Sequence, residues 1–88
     1  MPIVYVLKSL KNGRLYVGYT ERDVRERLAE HNASQTECIK QMIPFVIVYV
    51  EKMETLNLAR QREKFLKSGH GRRTLKNLIA SKPKNLVL

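Results

Sequence analysis

Little in these 88 residues suits an oxidising or a membranous setting. A single cysteine, Cys38, cannot close an internal disulfide, and no Cys/His cluster carries zinc spacing. No apolar run approaches the roughly 18 residues of a membrane span. Met1 to Leu10 is a short apolar stretch with no basic segment before it and no small-residue cleavage site after it, so it does not read as a signal peptide. Repeats, low-complexity tracts and linkers are also missing, and the length suits one domain rather than two. The expectation is a cytoplasmic or nucleoid-associated protein that is not secreted, makes no membrane contact, and holds any metal through oxygen ligands.

Acidic residues are the other scarcity. Eight Asp and Glu stand against 17 Lys and Arg, a formal charge of +9. Such an excess predicts salt-dependent attraction to polyanions. A basic, ribosome-associated protein with no chemistry fits the same charge. At 43% hydrophobic and 28% charged, the composition is ordinary for a globular chain and argues against disorder.

Two stretches rich in β-branched and aromatic residues, Ile3 to Ser9 and Leu15 to Thr20, flank Asn12-Gly13, the strongest short hairpin signal. A two-residue loop there makes paired positions sum to 25, so that Ser9 faces Tyr16 and Leu7 faces Gly18. Thr20 is the expected N-cap of a helix over 21–32, with Asp23 completing an approximate capping box. Residues 33–44 lack periodicity and read as a connection, and 45–50 is almost wholly apolar, as in a well-buried third strand. A second helix is expected over 55–68, ended by Gly69 in a left-handed C′ position. A third follows over 72–80, and Pro83 stops it. The order β-β-α-β-α-α implies an α+β fold, a small three-stranded antiparallel sheet flanked by about three helices. Residues 1–82 form the expected domain, with 83–88 as a tail.

Three constellations could carry chemistry. Alternation along the hairpin puts Tyr5 and Tyr16 on one face beside Gly18, although two strand tyrosines packed under a helix would look the same. On the first helix Arg27 and His31 are four apart and share a face next to Val24. A guanidinium there suits a phosphate and an imidazole suits a proton, while a surface Arg and a C-terminal His are the plainer alternative. On the second helix Leu56, Ala59, Glu63 and Leu66 fall on one stripe, which assigns Glu63 to the core. A lone buried carboxylate costs several kcal/mol unless it is paired, protonated or metal-bound. A salt bridge to one of the many arginines, or a hard cation such as Mg²⁺, answers that cost.

Ile3-Val4-Tyr5, ten residues, then Tyr16-Val17-Gly18 resembles the paired motif of the GIY-YIG nuclease family. Tyr19-Thr20, Arg27 with His31, the strand from Pro44 to Glu51, and Arg62-Glu63 before Leu66-Lys67 are similar to the rest of that family's pattern. The likeness spans 3–79 and is greatest to the small stand-alone members. It implies a metal-dependent endonuclease that cuts phosphodiester bonds, most readily in DNA. With no accessory recognition domain the expectation is low sequence specificity, and phosphate contacts that do not read bases leave room for a preference for branched or nicked structures. The alternative is a nucleic-acid-binding module of the same fold that is inactive or needs a partner.

By position the resemblance makes Tyr5, Tyr16, Arg27, His31 and Glu63 the catalytic set. Glu63 becomes the ligand of a single divalent metal, Mg²⁺ or Mn²⁺. A phenol with a pKa near 10 is a poor base, so nearby cations or the metal must favour its phenolate. Lys8 matches a lysine of some members but sits on the opposite face unless a bulge intervenes, and Asn77 matches an asparagine whose spacing varies. The connection carries Gln41-Met42-Ile43 where relatives are often basic. The basic load therefore shifts to Lys67, Arg72, Arg73 and Lys76, where Gly69-His70-Gly71 would admit close approach of a backbone. The apolar Met42-Ile43 and Leu86-Val87-Leu88 are candidate contacts for a homodimer or a protein partner.

Overall fold

A computed structural model describes residues 1–33 and 40–81. Cys38, the Leu86-Val87-Leu88 contact and the tail at 83–88 lie outside the described residues. Strands β1 (Ile3–Ser9), β2 (Leu15–Thr20) and β3 (Phe45–Lys52) form an antiparallel sheet in the order β2-β1-β3. Helices α1 (Val24–Asn32), α2 (Leu56–Lys67) and α3 (Gly69–Ser81) complete the expected α+β order.

The sheet is the middle of three layers. Tyr5, Leu7, Phe45 and Ile47 pack with Val24 under α1. Val4, Val6, Val17 and Tyr49 pack with Ala59, Leu66 and Leu75 under α2 and α3. Covering both faces explains why the strands read as near-continuous apolar runs rather than alternating ones. β1 is the central strand, and its Val4, Tyr5, Val6 and Leu7 are at most 1% exposed. The last strand, expected to be the well-buried one, lies at an edge. A bulge opposite Val6/Leu7 leaves Val48 and Tyr49 both on the α2–α3 side. It spares β1, whose alternation runs unbroken.

The hairpin register differs from the simple expectation. Pairs sum to 23, so Tyr5 faces Gly18 and Leu7 faces Tyr16. The loop is longer because Ser9 organises it. The Ser9 carbonyl accepts from the Gly13 N–H at 2.9 Å, and its hydroxyl accepts from Lys11 and Asn12 N–H at 3.1 and 3.2 Å. Gly13, at φ +75°, supplies the left-handed step. A slip of two residues preserves which face each side chain takes, so Tyr5 and Tyr16 still share one.

The helix ends are also displaced. Asp23, not Thr20, caps α1, its carboxylate accepting from the Arg25 N–H at 2.8 Å. Thr20 stays in β2, and its hydroxyl accepts from Arg22 N–H at 3.0 Å. Thr55 caps α2 through the Leu58 N–H at 3.1 Å. Leu56, assigned to the buried stripe, is 41% exposed because it opens the helix beyond the sheet's cover.

Gly69 does not take a left-handed conformation and does not end α2; it begins α3. Ser68 makes the break, its hydroxyl accepting from Gly71 N–H at 3.1 Å and its carbonyl from Arg72 N–H at 2.9 Å. Gly71 is buried where a Cβ would overlap the Phe65 carbonyl. Gly71 lets α3 approach α2, whereas Gly69 borders open space.

That approach is testable. Gly71→Ala meets backbone that no rotamer change relieves, and overpacking of this kind costs about 2–3 kcal/mol. Gly69→Ala enters open space at a helical position and should be neutral or stabilising by up to about 1 kcal/mol. Urea midpoints of the two variants check the contrast.

Candidate active site

Tyr5 projects from the middle of the central strand into the α1 layer, and its size makes it the anchor of what surrounds it. Its ring lies over Gly18 of the neighbouring strand, where a Cβ would sit 2.5 Å from the hydroxyl and 2.7 Å from Cζ. The motif glycine is therefore a steric requirement of the motif tyrosine. The hydroxyl ends 3.2 Å from His31 Nε2. Tyr16, paired with Leu7 on the same face, sets its ring edge-on to His31 with centroids 4.7 Å apart. Phe45 closes the cluster from β3, 6.1 Å from the imidazole and 6.3 Å from Tyr16.

His31 is only 7% exposed, although it sits in the last turn of a short helix. Asn32 holds that turn in place. Its Oδ1 accepts from the Phe45 N–H at 2.7 Å and its Nδ2 donates to the Phe45 carbonyl at 3.3 Å, a side-chain mimic of strand pairing that ties α1 to β3. Nothing in the spacing of Asn32 announced this role, because its partner is remote in sequence.

Arg27 lies one turn before His31 and also reaches Tyr5. It is tied on its outer side, Nη1 to Glu30 Oε1 at 2.8 Å, and Glu30 is gripped in turn by Arg22 Nη2 at 2.7 and 2.9 Å. These are exposed pairs, and those two arginines hold the Glu30 carboxyl below its ordinary range. Arg22 was not singled out from the sequence, since a cation just before a helix has no periodicity.

Charge at the centre is set by burial. Desolvation raises the Tyr5 pKa above 10, outweighing the Arg27 guanidinium that pulls it down; Tyr16 and Glu63 add to the rise. Arg27 alone therefore does not favour the Tyr5 phenolate, since one partly exposed guanidinium does not offset the phenol's loss of water. Burial, helped by Arg27, lowers the His31 pKa, so its imidazole is neutral at pH 7. A neutral imidazole beside an intact phenol is a pair across which a proton can pass.

Glu63 reaches this centre differently. It belongs to α2, whose buried residues pack on the other face of the sheet, and its charge is felt at Tyr5. Its side chain keeps 23% exposure and has a loose pair with Lys67 at 3.7 Å. Tyr5, Tyr16 and His31 are therefore one packed cluster, with Arg27 and Glu63 near enough for their charges to act on Tyr5. Among the described residues no group of three His, Cys, Asp or Glu could hold a metal. The donor set still fits Mg²⁺, which commonly takes one or two carboxylates and completes its shell with water and phosphate oxygens.

The neighbouring Arg62 serves structure. Its Nε donates to Glu51 at 2.9 Å, and Glu51 also accepts from Tyr49 at 2.6 Å, pinning α2 to β3. Burial and the Glu51 carboxylate push the Tyr49 phenol up to about 12.

Lys8 is exposed and, with β1 alternation unbroken, points away from the Tyr5 face. Lys67, Arg72 and Lys76 line a groove that Tyr16 also borders. Arg73 and Asn77 are exposed on α3. Met42 and Ile43 are half-buried against the α1-side cluster.

A family model described as the GIY-YIG catalytic domain matches residues 1–77. The chain belongs to the GIY-YIG family, whose domain is a nuclease fold that engages nucleic acid and generally depends on a divalent metal. It is 34% identical over 74 residues to a UPF0213 protein of Staphylococcus saprophyticus, covering 83% of this chain and 88% of the relative. No solved structure matches significantly. Among the described residues no helix is long and apolar enough to cross a membrane.

The lowered His31 pKa has a consequence for stability. Above about pH 6.5 imidazole is neutral in both the folded and the unfolded chain, and nothing is lost. Below that the unfolded chain takes up a proton that the folded chain resists. Stability therefore falls with pH until the folded form is itself protonated. A difference curve of urea stability between wild type and His31→Gln should be flat from pH 8 to about 6.5 and slope below it. A flat curve down to pH 5 contradicts a buried neutral imidazole.

Proposed function

We propose that the chain is an endonuclease that hydrolyses phosphodiester bonds with a divalent metal, DNA being the favoured substrate. Tyr5, Tyr16, Arg27, His31 and Glu63 are its reacting groups. The observation that carries this is the Tyr5 hydroxyl at 3.2 Å from His31 Nε2, inside a buried aromatic cluster with Arg27 alongside. A structural tyrosine needs a partner for its hydroxyl, but not a neutral imidazole flanked by a phosphate-sized cation.

Tyr5 takes a proton from the attacking water as its own passes to His31 Nε2, the imidazole holding its other hydrogen on Nδ1. The water oxygen bonds to phosphorus, the bond to the leaving oxygen breaks, and the departing alkoxide takes a proton from solvent. Arg27 turns from Glu30 to the non-bridging phosphate oxygens and stabilises the charge that grows on them. Tyr16 holds the imidazole edge-on and keeps bulk water from it. A divalent cation held by Glu63, when bound, supplies Lewis-acid stabilisation of the phosphoryl group and the leaving oxygen.

Phosphate contacts set position without reading bases, so sequence specificity is low. Branched or nicked DNA, which exposes strands at a junction, is the preferred form. The second reading, a binding module of the same fold, draws on the +9 charge, which attracts a polyanion without any chemistry.

Tyr5→Phe keeps the buried ring and removes only the hydroxyl, and Glu63→Gln removes only the charge. Each should reduce Mg²⁺-dependent cleavage of a branched duplex by at least about 10²-fold, in line with the loss of an acid–base group, while circular dichroism stays unchanged. Chelation with EDTA should abolish cleavage in wild type. Undiminished cutting by either variant rejects the assignment; wild-type binding without cutting, at any metal concentration, supports the binding module.

Freeing Arg27 gives a separate check. Glu30→Gln removes the carboxylate that competes with substrate phosphate, so KM should fall about two- to fivefold, more at low salt than at high. An unchanged KM at low salt means that Arg27 does not meet the phosphate.

A further inference from the structure

Beside Tyr16 the sheet edge and the α2–α3 pair enclose a groove of about 820 Å³, within the range that takes a nucleotide-sized ligand. Its two surfaces differ in character. Val17, Leu66 and Leu75 make an apolar floor, extended outward by Leu15 and Met42. Four cations stand on the rim: Arg14 from the hairpin, Lys67 from the end of α2, and Arg72 and Lys76 from successive turns of α3. Among the described residues Lys67 pairs with Glu63, whereas Arg14, Arg72 and Lys76 make no ion pair. Arg14 is new to this set, since a residue after a turn carries no periodic signal.

We propose that this groove binds a nucleic-acid strand whose bases are unpaired. The inference deepens the nuclease reading above and rests on it. A duplex presents phosphates and keeps its base faces stacked inside, so it would satisfy the rim and leave the floor wet. A strand with an unstacked base satisfies both, its phosphates lying against the four cations and its base against the apolar floor. The groove also leads somewhere. Tyr16 borders it on one side and meets His31 at 4.7 Å on the other, so a strand lying in the groove runs up to the Tyr5–His31 pair. Lys67 reaches the same strand from beside Glu63, the carboxylate assigned to the metal.

The test is fluorescence anisotropy of wild-type protein in EDTA, which separates binding from cutting. The probes are a short labelled oligothymidylate and a blunt duplex of equal length. Wild type should bind the oligothymidylate at least about tenfold tighter than the duplex. Arg72→Ala with Lys76→Ala should lower the log–log salt slope for the oligothymidylate by about 1.4, at 0.7 per contact to a single strand. Leu15→Ser removes part of the floor at an exposed position and should weaken oligothymidylate binding about fivefold with an unchanged melting curve.

Equal affinity for the two probes, or groove variants that bind both as wild type does, overturns the proposal. So does competition by polyglutamate as effective as by unlabelled oligothymidylate, or a dimer in sedimentation whose formation excludes the oligonucleotide. Cleavage is measured in parallel on the same proteins. Metal-dependent cutting without selective single-strand binding sinks the groove alone. Selective binding without cutting sinks the nuclease reading and leaves the groove standing.

Discussion

A phenol buried on the central strand of a three-layer fold dictates most of what surrounds it. Tyr5 has helices above and below its sheet and strands on both sides, so its ring can lie only across a neighbour that has no side chain. Gly18 is that neighbour, and the room it leaves fixes where the hydroxyl ends. The hydroxyl in turn requires a polar partner in an apolar layer, because an unmet buried O–H costs about 1–3 kcal/mol. His31 meets it at 3.2 Å, and α1 is held at the height that makes this possible by the clasp of Asn32 on Phe45. Packing thus builds the phenol–imidazole pair, which the proposed mechanism uses for proton transfer, before any substrate arrives.

The same burial decides the charges. Water removed from Tyr5 and His31 favours their neutral forms, and Arg27, held toward solvent by Glu30, is too exposed to reverse this for the phenol. The cluster rests uncharged beside a single guanidinium, and the Glu63 carboxylate acts on it from α2. Cation and anion at the site are therefore supplied by helices of different layers, Arg27 by α1 and Glu63 by α2.

Much of this was legible along the chain. Strand identity followed from β-branched and aromatic runs, and the helices from their apolar stripes. Tyr5 and Tyr16 share a face despite a loop two residues longer than Asn12-Gly13 alone suggests, because a two-residue slip leaves parity intact. The helix starts were less legible. Thr20 and Asp23 are both good caps, and strand pairing of Thr20 with Ile3 settled the choice. Gly69 looked like a helix terminator, yet Ser68 had already broken the chain and Gly71 carried the close approach. Leu56 looked buried because periodicity cannot see where a sheet ends.

Alternation, helical spacing and the order of short motifs depend on neighbours within a few residues, so the sequence by itself determined the element order, the shared face of the two tyrosines, the Arg27–His31 pair and the family. Contacts between residues remote in the chain depend on how layers stack, and these only the tertiary structure decided: β1 as the central strand, the ring of Tyr5 over Gly18, the clasp of Asn32, the placing of Glu63 on the opposite layer, and the union of Arg14 with Lys67, Arg72 and Lys76 on one rim. The protonation state of Tyr5 belongs to the second group as well, for desolvation is a property of the space around a side chain and has no counterpart in its spacing.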